Sequence, residues 1–187
     1  ITGVLLGLIA GWFSSTETII MRFMDVLLSF PSIIVALTIV SVLGADIKNL
    51  IIAIAIGQVP SFARLTHGQV LSIKKREYIL SQIVVGASDW QILFKGILPN
   101  ILSSLIVQMS IFIPSAIMTA SSLSFLGLGV RPPTAEWGGM LQESIKWYRR
   151  APHMMIYPGL ALMLVVFGFN SLGDGLRVAL DPKMKNR

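Results

Sequence analysis

Side chains able to do chemistry are few in this sequence and are not grouped in reactive sets. Two histidines, His67 and His153, and no cysteine occur among 187 residues, so no thiolate nucleophile, disulfide or Cys-based metal site is available. The histidines are isolated and fall on opposite sides of the topology derived below, which argues for packing or surface roles over a shared metal site. There is no phosphate-binding P-loop, no His-Glu-x-x-His and no Gly-x-Ser-x-Gly, so the chain is not expected to hydrolyse ATP or peptides itself. No residue is assigned a catalytic or metal-binding role. Asp174 and Arg177, three apart, are expected to form a helix-end ion pair of little weight.

Two patterns stand out from this background. The first is a row of small polar residues, Ser104, Gln108, Ser115, Thr119 and Ser122, whose spacing keeps them roughly on one face of a helix. Such a row could line a wet path through a membrane, or its hydroxyls could bond their own preceding carbonyls. Pro114 interrupts the same segment and is either a kink that serves as a hinge or a tolerated membrane-helix proline. No span carries a fixed charge at its middle, unlike many proton and ion relays, which favours a neutral, permissive passage.

The second pattern is a helix-corner-helix between His67 and Leu98. Lys74–Val85 reads as a helix, and Gly86 follows where a left-handed C-terminal residue is wanted. Ser88 can cap a second helix, Gln91 completes a capping-box spacing, and Asp89 lies near the positive helix end. Trp90, Leu93, Phe94 and Ile97 then form an apolar stripe, and Pro99 suits the first turn of the next helix. An amphipathic corner of this kind either lies in the lipid headgroup layer or docks a soluble partner.

The elements that must position these patterns are membrane helices. The chain is 54% hydrophobic and 13% charged with a mean hydropathy of +0.77, far more apolar than a soluble domain. A net charge of +6 does not point to nucleic acid, because the Lys and Arg residues sit between long uncharged runs. A crossing helix needs roughly 20 mainly apolar residues. Five segments are predicted: a partial one at the start, then spans near 29–46, 49–68, 99–122 and 154–174. A cytoplasmic C-terminus puts ten of the 15 Lys and Arg residues inside: Arg22, Arg64, Lys74, Lys75, Arg76, Lys95, Arg177, Lys183, Lys185 and Arg187. It leaves Lys48, Arg131, Lys146, Arg149 and Arg150 outside, the orientation that the positive-inside rule favours. Trp137, Trp147, Tyr148 and Tyr157 either anchor the outer interface or pack within their loop. Gly3, Gly7 and Gly11 present a bare helix face for close helix packing. Ile1 opens inside an apolar stretch without an initiator Met or leader, so a preceding segment is expected.

The corner and its flanks resemble the EAA loop of the permease subunits of binding-protein-dependent ABC importers. In that family Glu-Ala-Ala is followed by three residues, Gly, nine residues and Ile-x-Leu-Pro. Gly86, Leu98 and Pro99 hold the matching places, Leu80, Ser81 and Gln82 stand for Glu-Ala-Ala, and Gly96 stands for the Ile. The surroundings resemble the dipeptide, oligopeptide and nickel branch: Arg76-Glu77-Tyr78, Gly86-Ala87-Ser88-Asp89 and Ile97-Leu98-Pro99-Asn100. So do Met21-Arg22 to Phe30-Pro31, Leu123-Ser124-Phe125 through Pro132-Pro133 to Trp137-Gly138, and Pro158-Gly159 through Gly173-Asp174-Gly175-Leu176-Arg177 to Asp181-Pro182.

The resemblance covers nearly the whole chain. It implies an all-α polytopic bundle over 1–187 with five of six helices present, and a coupling loop at 74–99 in which Leu80, Ser81, Gln82, Gly86, Ala87, Ser88 and Asp89 meet an ATPase. It further implies a second homologous permease chain, two ATP-binding subunits holding ATP and Mg, an extracytoplasmic solute-binding protein, and a bacterial or archaeal cytoplasmic membrane. This chain would bind no cofactor and no nucleic acid. Its cargo would be short peptides, nickel or a similar small solute, moved by alternating access. The competing classes are a self-contained secondary carrier and a non-transporting membrane scaffold.

Overall fold

The computed structural model describes residues 1–130 and 133–180. Arg131, Pro132 and residues 181–187 lie outside the described residues, and with them the expectations placed on Arg131, Pro132, Asp181-Pro182, Lys183, Lys185 and Arg187. Among the described residues every regular element is helical: α1 Thr2–Trp12, α2 Ser14–Leu28, α3 Ser32–Leu43, α4 Ile47–Ile73, α5 Glu77–Val84, α6 Asp89–Gln91, α7 Leu98–Phe125, α8 Trp137–Ser144 and α9 His153–Leu180. Three helical stretches are long and apolar enough to cross a membrane, Ile47–Ile73, Asp89–Phe125 and His153–Leu180. The chain is thus an all-α polytopic membrane protein.

Three predicted boundaries are corrected. The uncharged run behind the expected span 29–46 is interrupted at Ser29–Pro31, leaving α3 with 12 residues. Pro31 has no N–H and disfavours helical backbone at Phe30 before it, while Ser29 Oγ closes α2 by donating to the Val26 carbonyl at 2.7 Å. Only α2 and α3 counted together would make a fourth span. Next, the helix expected over 74–85 begins at Glu77, because α4 runs on to Ile73 and the chain turns over Lys74–Arg76. Finally, Pro99 stands in the first turn of α7 as expected, but the span expected from residue 99 has no free start, because helix runs into it without a break. Asp89–Phe125 is continuous over 37 residues, with a π-helical turn over Ile92–Ile97 in which the Leu98 N–H reaches back five residues to the Leu93 carbonyl. This wide turn absorbs the proline, and Asn100 Nδ2 donates to the Gly96 carbonyl at 2.6 Å. Pro114 likewise lies inside α7 without ending it.

The chain divides into two compact units, Ile1–Phe30 with Gln58–Gln108, and Pro31–Gly57 with Met109–Arg187. In the first, α1 and the second half of α4 run parallel, Gly3, Gly7 and Gly11 lying in turn against Val59, Ala63 and Val70. A side chain on Gly3 would meet the Val59 carbonyl at 2.5 Å and Phe62 Cβ at 2.9 Å, Gly7 abuts the Ala63 carbonyl and Thr66, and Gly11 abuts Val70. The bare stripe therefore lets backbone meet backbone, which in lipid is how dispersion contacts accumulate. Leu8, Trp12, Val70, Ile73, Ile79, Leu93, Ile97 and Ile101 are among the residues that form this unit's core. Across α2, Asp25 meets Arg64 at 2.5 Å and Glu17 meets His67 at 3.0 Å. The Asp25–Arg64 pair is more than half exposed on both sides, so its weight is small.

The second unit packs Ala36, Val40, Leu50, Ala53 and Leu123 into its own core. Gly127 ends α7 in a left-handed conformation with φ +80, its N–H bonding the Ser124 carbonyl and the Leu128 N–H the Leu123 carbonyl. Gly138 of α8 abuts the Ser121 backbone and Gly173 of α9 lies against Ser110. Glu136 caps α8 by accepting from the Gly139 N–H at 2.8 Å. Trp137, Trp147, Tyr148 and Tyr157 are exposed, as interfacial anchors would be. The expected Asp174–Arg177 ion pair is not among the contacts of the described residues, both groups lying on the exposed side of α9, where an isolated pair gains little over hydration.

The α1–α4 contact yields a direct test. Gly7→Leu must push α1 off the Ala63 carbonyl, and overpacking of this kind costs roughly 1–3 kcal/mol. Gly68→Ala, on the same helix α4 but with open space around its Cα, should be neutral or stabilising by up to about 1 kcal/mol. Thermal melting of the two purified variants in detergent separates these outcomes.

Candidate coupling site

The corner is closed entirely by local hydrogen bonds. Gly86 adopts φ +84, its N–H bonds the Ile83 carbonyl and the Ala87 N–H bonds the Gln82 carbonyl, each at 3.0 Å. These are the two bonds of a Schellman ending, and they satisfy carbonyls that α5 would otherwise leave open. Ser88 then starts α6 in extended conformation with both bonds of a capping box: its N–H donates to Gln91 Oε1 at 3.2 Å and its Oγ accepts from the Gln91 N–H at 3.4 Å. Asp89 occupies the first turn, where a negative charge complements the helix dipole. The roles predicted for Gly86, Ser88, Asp89 and Gln91 within the corner are all realised.

Of the residues standing for Glu-Ala-Ala, Leu80 and Ser81 are exposed and Gln82 is half-buried. Ser81 Oγ donates to the Tyr78 carbonyl at 2.9 Å. Gln82 points back toward the π-helical turn, where a Cβ on Gly96 would come within 2.9 Å of its Oε1. Ala87 packs on the core of the first unit. Val84 and Val85, each 86% exposed, leave the tip of the corner apolar and uncovered, with Leu80 and Ile83 beside them. Such a patch on a short rigid corner marks an interaction surface more readily than scattered apolar residues would.

Residues outside the corner hold it to the membrane helices, and sequence spacing gave no sign of them. Trp12 Nε1 donates to Asp89 Oδ1 at 2.8 Å. The Lys74 ammonium donates to the Trp12 carbonyl at 2.6 Å and stands 5.0 Å from the centroid of the Trp12 ring. Next to them, the Phe13 and Trp90 rings lie 6.3 Å apart and tilted, and Trp90 stacks on Phe94 at 6.0 Å.

The polar row of α7 has a more local use. Ser115 Oγ donates to the Phe112 carbonyl at 2.9 Å, Thr119 Oγ1 to the Ser115 carbonyl at 2.8 Å and Ser122 Oγ to the Met118 carbonyl at 2.7 Å. Three of the five predicted path residues thus bond their own helix, the second of the two uses that the spacing allowed. Ser104 and Gln108 are half-buried on the same helix.

The helices long and apolar enough to cross a membrane, together with the capped corner, define an integral helical membrane protein, and no group of three or more His, Cys, Asp or Glu side chains able to hold a metal occurs among the described residues. Residues 3–186 match the family described as "Binding-protein-dependent transport system inner membrane component", and the chain belongs to that family. Over 185 residues it is 49% identical to the glutathione transport system permease protein GsiD of Pectobacterium atrosepticum, covering 98% of this chain and 62% of that protein. It is 46% identical over its whole length to the dipeptide transport system permease protein DppC of Alkalihalophilus pseudofirmus, again covering 62% of the relative. A Shigella flexneri GsiD is 50% identical over 94% of this chain and 57% of its own. The chain thus spans about three-fifths of the length of these curated relatives.

Because a Cβ on residue 86 would meet nothing within 4 Å, substitution there tests backbone strain alone. Gly86→Val should destabilise the corner by about 1–2 kcal/mol, and Gly86→Asn by less, since Asn visits left-handed backbone more readily. Hydrogen exchange at the Gly86, Ala87 and Gln91 amides reads the difference as faster local opening in the Val variant.

Proposed function

We propose that this chain is a permease subunit of an ATP-driven importer that moves short peptides across the cytoplasmic membrane by alternating access. The observation that carries the reading is the 46–50% identity, over nearly all of the chain, to permeases named for glutathione and for dipeptides. Both named cargoes are short peptides, so this class is favoured over nickel. A passage without mid-span charges suits such varied, net-neutral or weakly charged solutes, with selection resting on an external solute-binding protein.

In this reading residues 74–99 are the coupling loop. Two partner subunits bind ATP and Mg, and one of them receives the apolar tip formed by Leu80, Ile83, Val84 and Val85 together with Gly86. A second homologous permease chain completes the bundle, and the C-terminus lies in the cytoplasm with Lys74, Lys75, Arg76 and Lys95. The orientation is supported by charge: the corner and its flanks are rich in Lys and Arg, as inner-side loops are. Closure of the ATPases on nucleotide moves the corner as a body, because the bonds that shape its turn, from Gln82 to Gln91, are internal to it, and the membrane helices follow between inward and outward openings. Ser104 and Gln108 are the residues of the polar row best suited to touch solute. Ser115, Thr119 and Ser122 retain an oxygen lone pair for it even while bonded to α7.

The test is reconstitution of the assembly in proteoliposomes with labelled glutathione and labelled dialanine as probes. Uptake that requires both ATP and the binding protein is expected, as is a disulfide cross-link from a Val85→Cys variant to an ATP-binding subunit. Gly86→Val should insert normally yet hydrolyse ATP with little uptake. ATP-independent uptake, or no cross-link at the corner in an intact assembly, overturns the reading.

A further inference from the structure

We propose that Trp12 is the positioning residue through which motion of the corner reaches the membrane helices; this rests on the reading of residues 74–99 as the docking loop. Three segments that are distant in sequence end on this one side chain. Trp12 closes α1, Lys74 follows directly on α4, and Asp89 opens the continuous helix that runs to Phe125. The Asp89 carboxylate accepts from the indole N–H at 2.8 Å, and the Lys74 ammonium holds the Trp12 carbonyl at 2.6 Å while lying over the ring.

Packing alone does not account for this arrangement. Trp12 is only 7% exposed, and a Phe or Leu would fill the same apolar space without bringing in an N–H that burial obliges to find an acceptor. The acceptor is an ionised group, which makes the bond strong as well as directional. The Phe13–Trp90 contact beside it opposes sliding of one segment past the other. A corner displaced by its partner must therefore either break the Trp12–Asp89 bond or draw the end of α1 along. Drawing α1 moves α4 as well, since Gly3, Gly7 and Gly11 leave no gap between them. One hydrogen bond thus converts a push on α6 into a joint movement of α1, α4 and α7.

The experiment uses the complete assembly in proteoliposomes, with labelled dialanine uptake and phosphate release measured in the same vesicles. Trp12→Phe keeps a ring and loses the N–H. Uptake per ATP hydrolysed should fall about tenfold, the factor that loss of one hydrogen bond to a charged group corresponds to. Asp89→Ala, made at an exposed position that leaves the core intact, should cause a similar fall, and the double variant should be no worse than either single one. Asp89→Asn, which keeps an accepting oxygen but a neutral one, should recover part of the ratio and lie between Asp89→Ala and the parent. A ratio within about twofold of the parent in both Trp12→Phe and Asp89→Ala would overturn the role of Trp12. Gly86→Val in the same vesicles tells the two failures apart. If it uncouples while Trp12→Phe does not, the loop reading stands and only the Trp12 role falls; if none of the variants changes the ratio, the loop reading itself falls.

Discussion

The constraint on which this architecture depends is the turn of the chain between Gln82 and Gln91, where one helix must end and the next begin with every peptide group satisfied. A helix end exposes carbonyls and the following start exposes N–H groups, and a flexible loop would leave both to water. Here the two ends answer each other within ten residues. The left-handed backbone at Gly86 lets the N–H groups of residues 86 and 87 reach back to Ile83 and Gln82, and the Ser88–Gln91 box closes the next start. A corner bonded in this way cannot deform without losing several bonds together. In the proposed function that rigidity is what would let a force applied at its apolar tip reach the helices behind it.

Force also needs stiff bodies on which to act. The continuous helix from Asp89 to Phe125 joins the corner to a membrane span without an intervening loop, so rotation of α6 is rotation of the first turns of α7. The π-helical turn at Ile92–Ile97 is the one irregularity, and it is filled rather than open: Ile92, Leu93, Gly96 and Ile97 are all buried. The glycine stripe of α1 works by the opposite chemistry. It contributes no polar bond, only the absence of side chains, so that α1 and α4 share a contact in which neither helix can shift independently.

Sequence patterning disclosed what local chemistry decides. The left-handed glycine, the capping box and the three-glycine stripe each follow from residues within a few positions of one another, and each is present. Pro31 was obscured because hydropathy counts it as neutral within an uncharged run, whereas its effect is on backbone conformation at Phe30. The polar row of α7 could not be decided from spacing, since a Ser or Thr on any face of a helix can bond a preceding carbonyl, whether or not that face lines a path. Trp12 was beyond reach for a different reason. Its partner lies 77 residues away, and nothing in the local sequence of either residue marks the other.

The departures of this corner from its family pattern become intelligible once its packing is known. Gln82 stands where the pattern has a small Ala, and Gly96 where it has a branched Ile. These two positions face each other: a Cβ on residue 96 would lie 2.9 Å from Gln82 Oε1 and 3.1 Å from Ile79 Cδ1. The Gln82 side chain occupies room that a side chain on residue 96 would need. Cores tolerate such exchanges when total volume is kept, and not when only one partner changes. Ile79 is fully buried beside this contact. Thus α5 stays seated on the π-helical turn, the Schellman ending remains aligned with Ser88, and the geometry of the corner survives the loss of the residues by which its family is usually recognised.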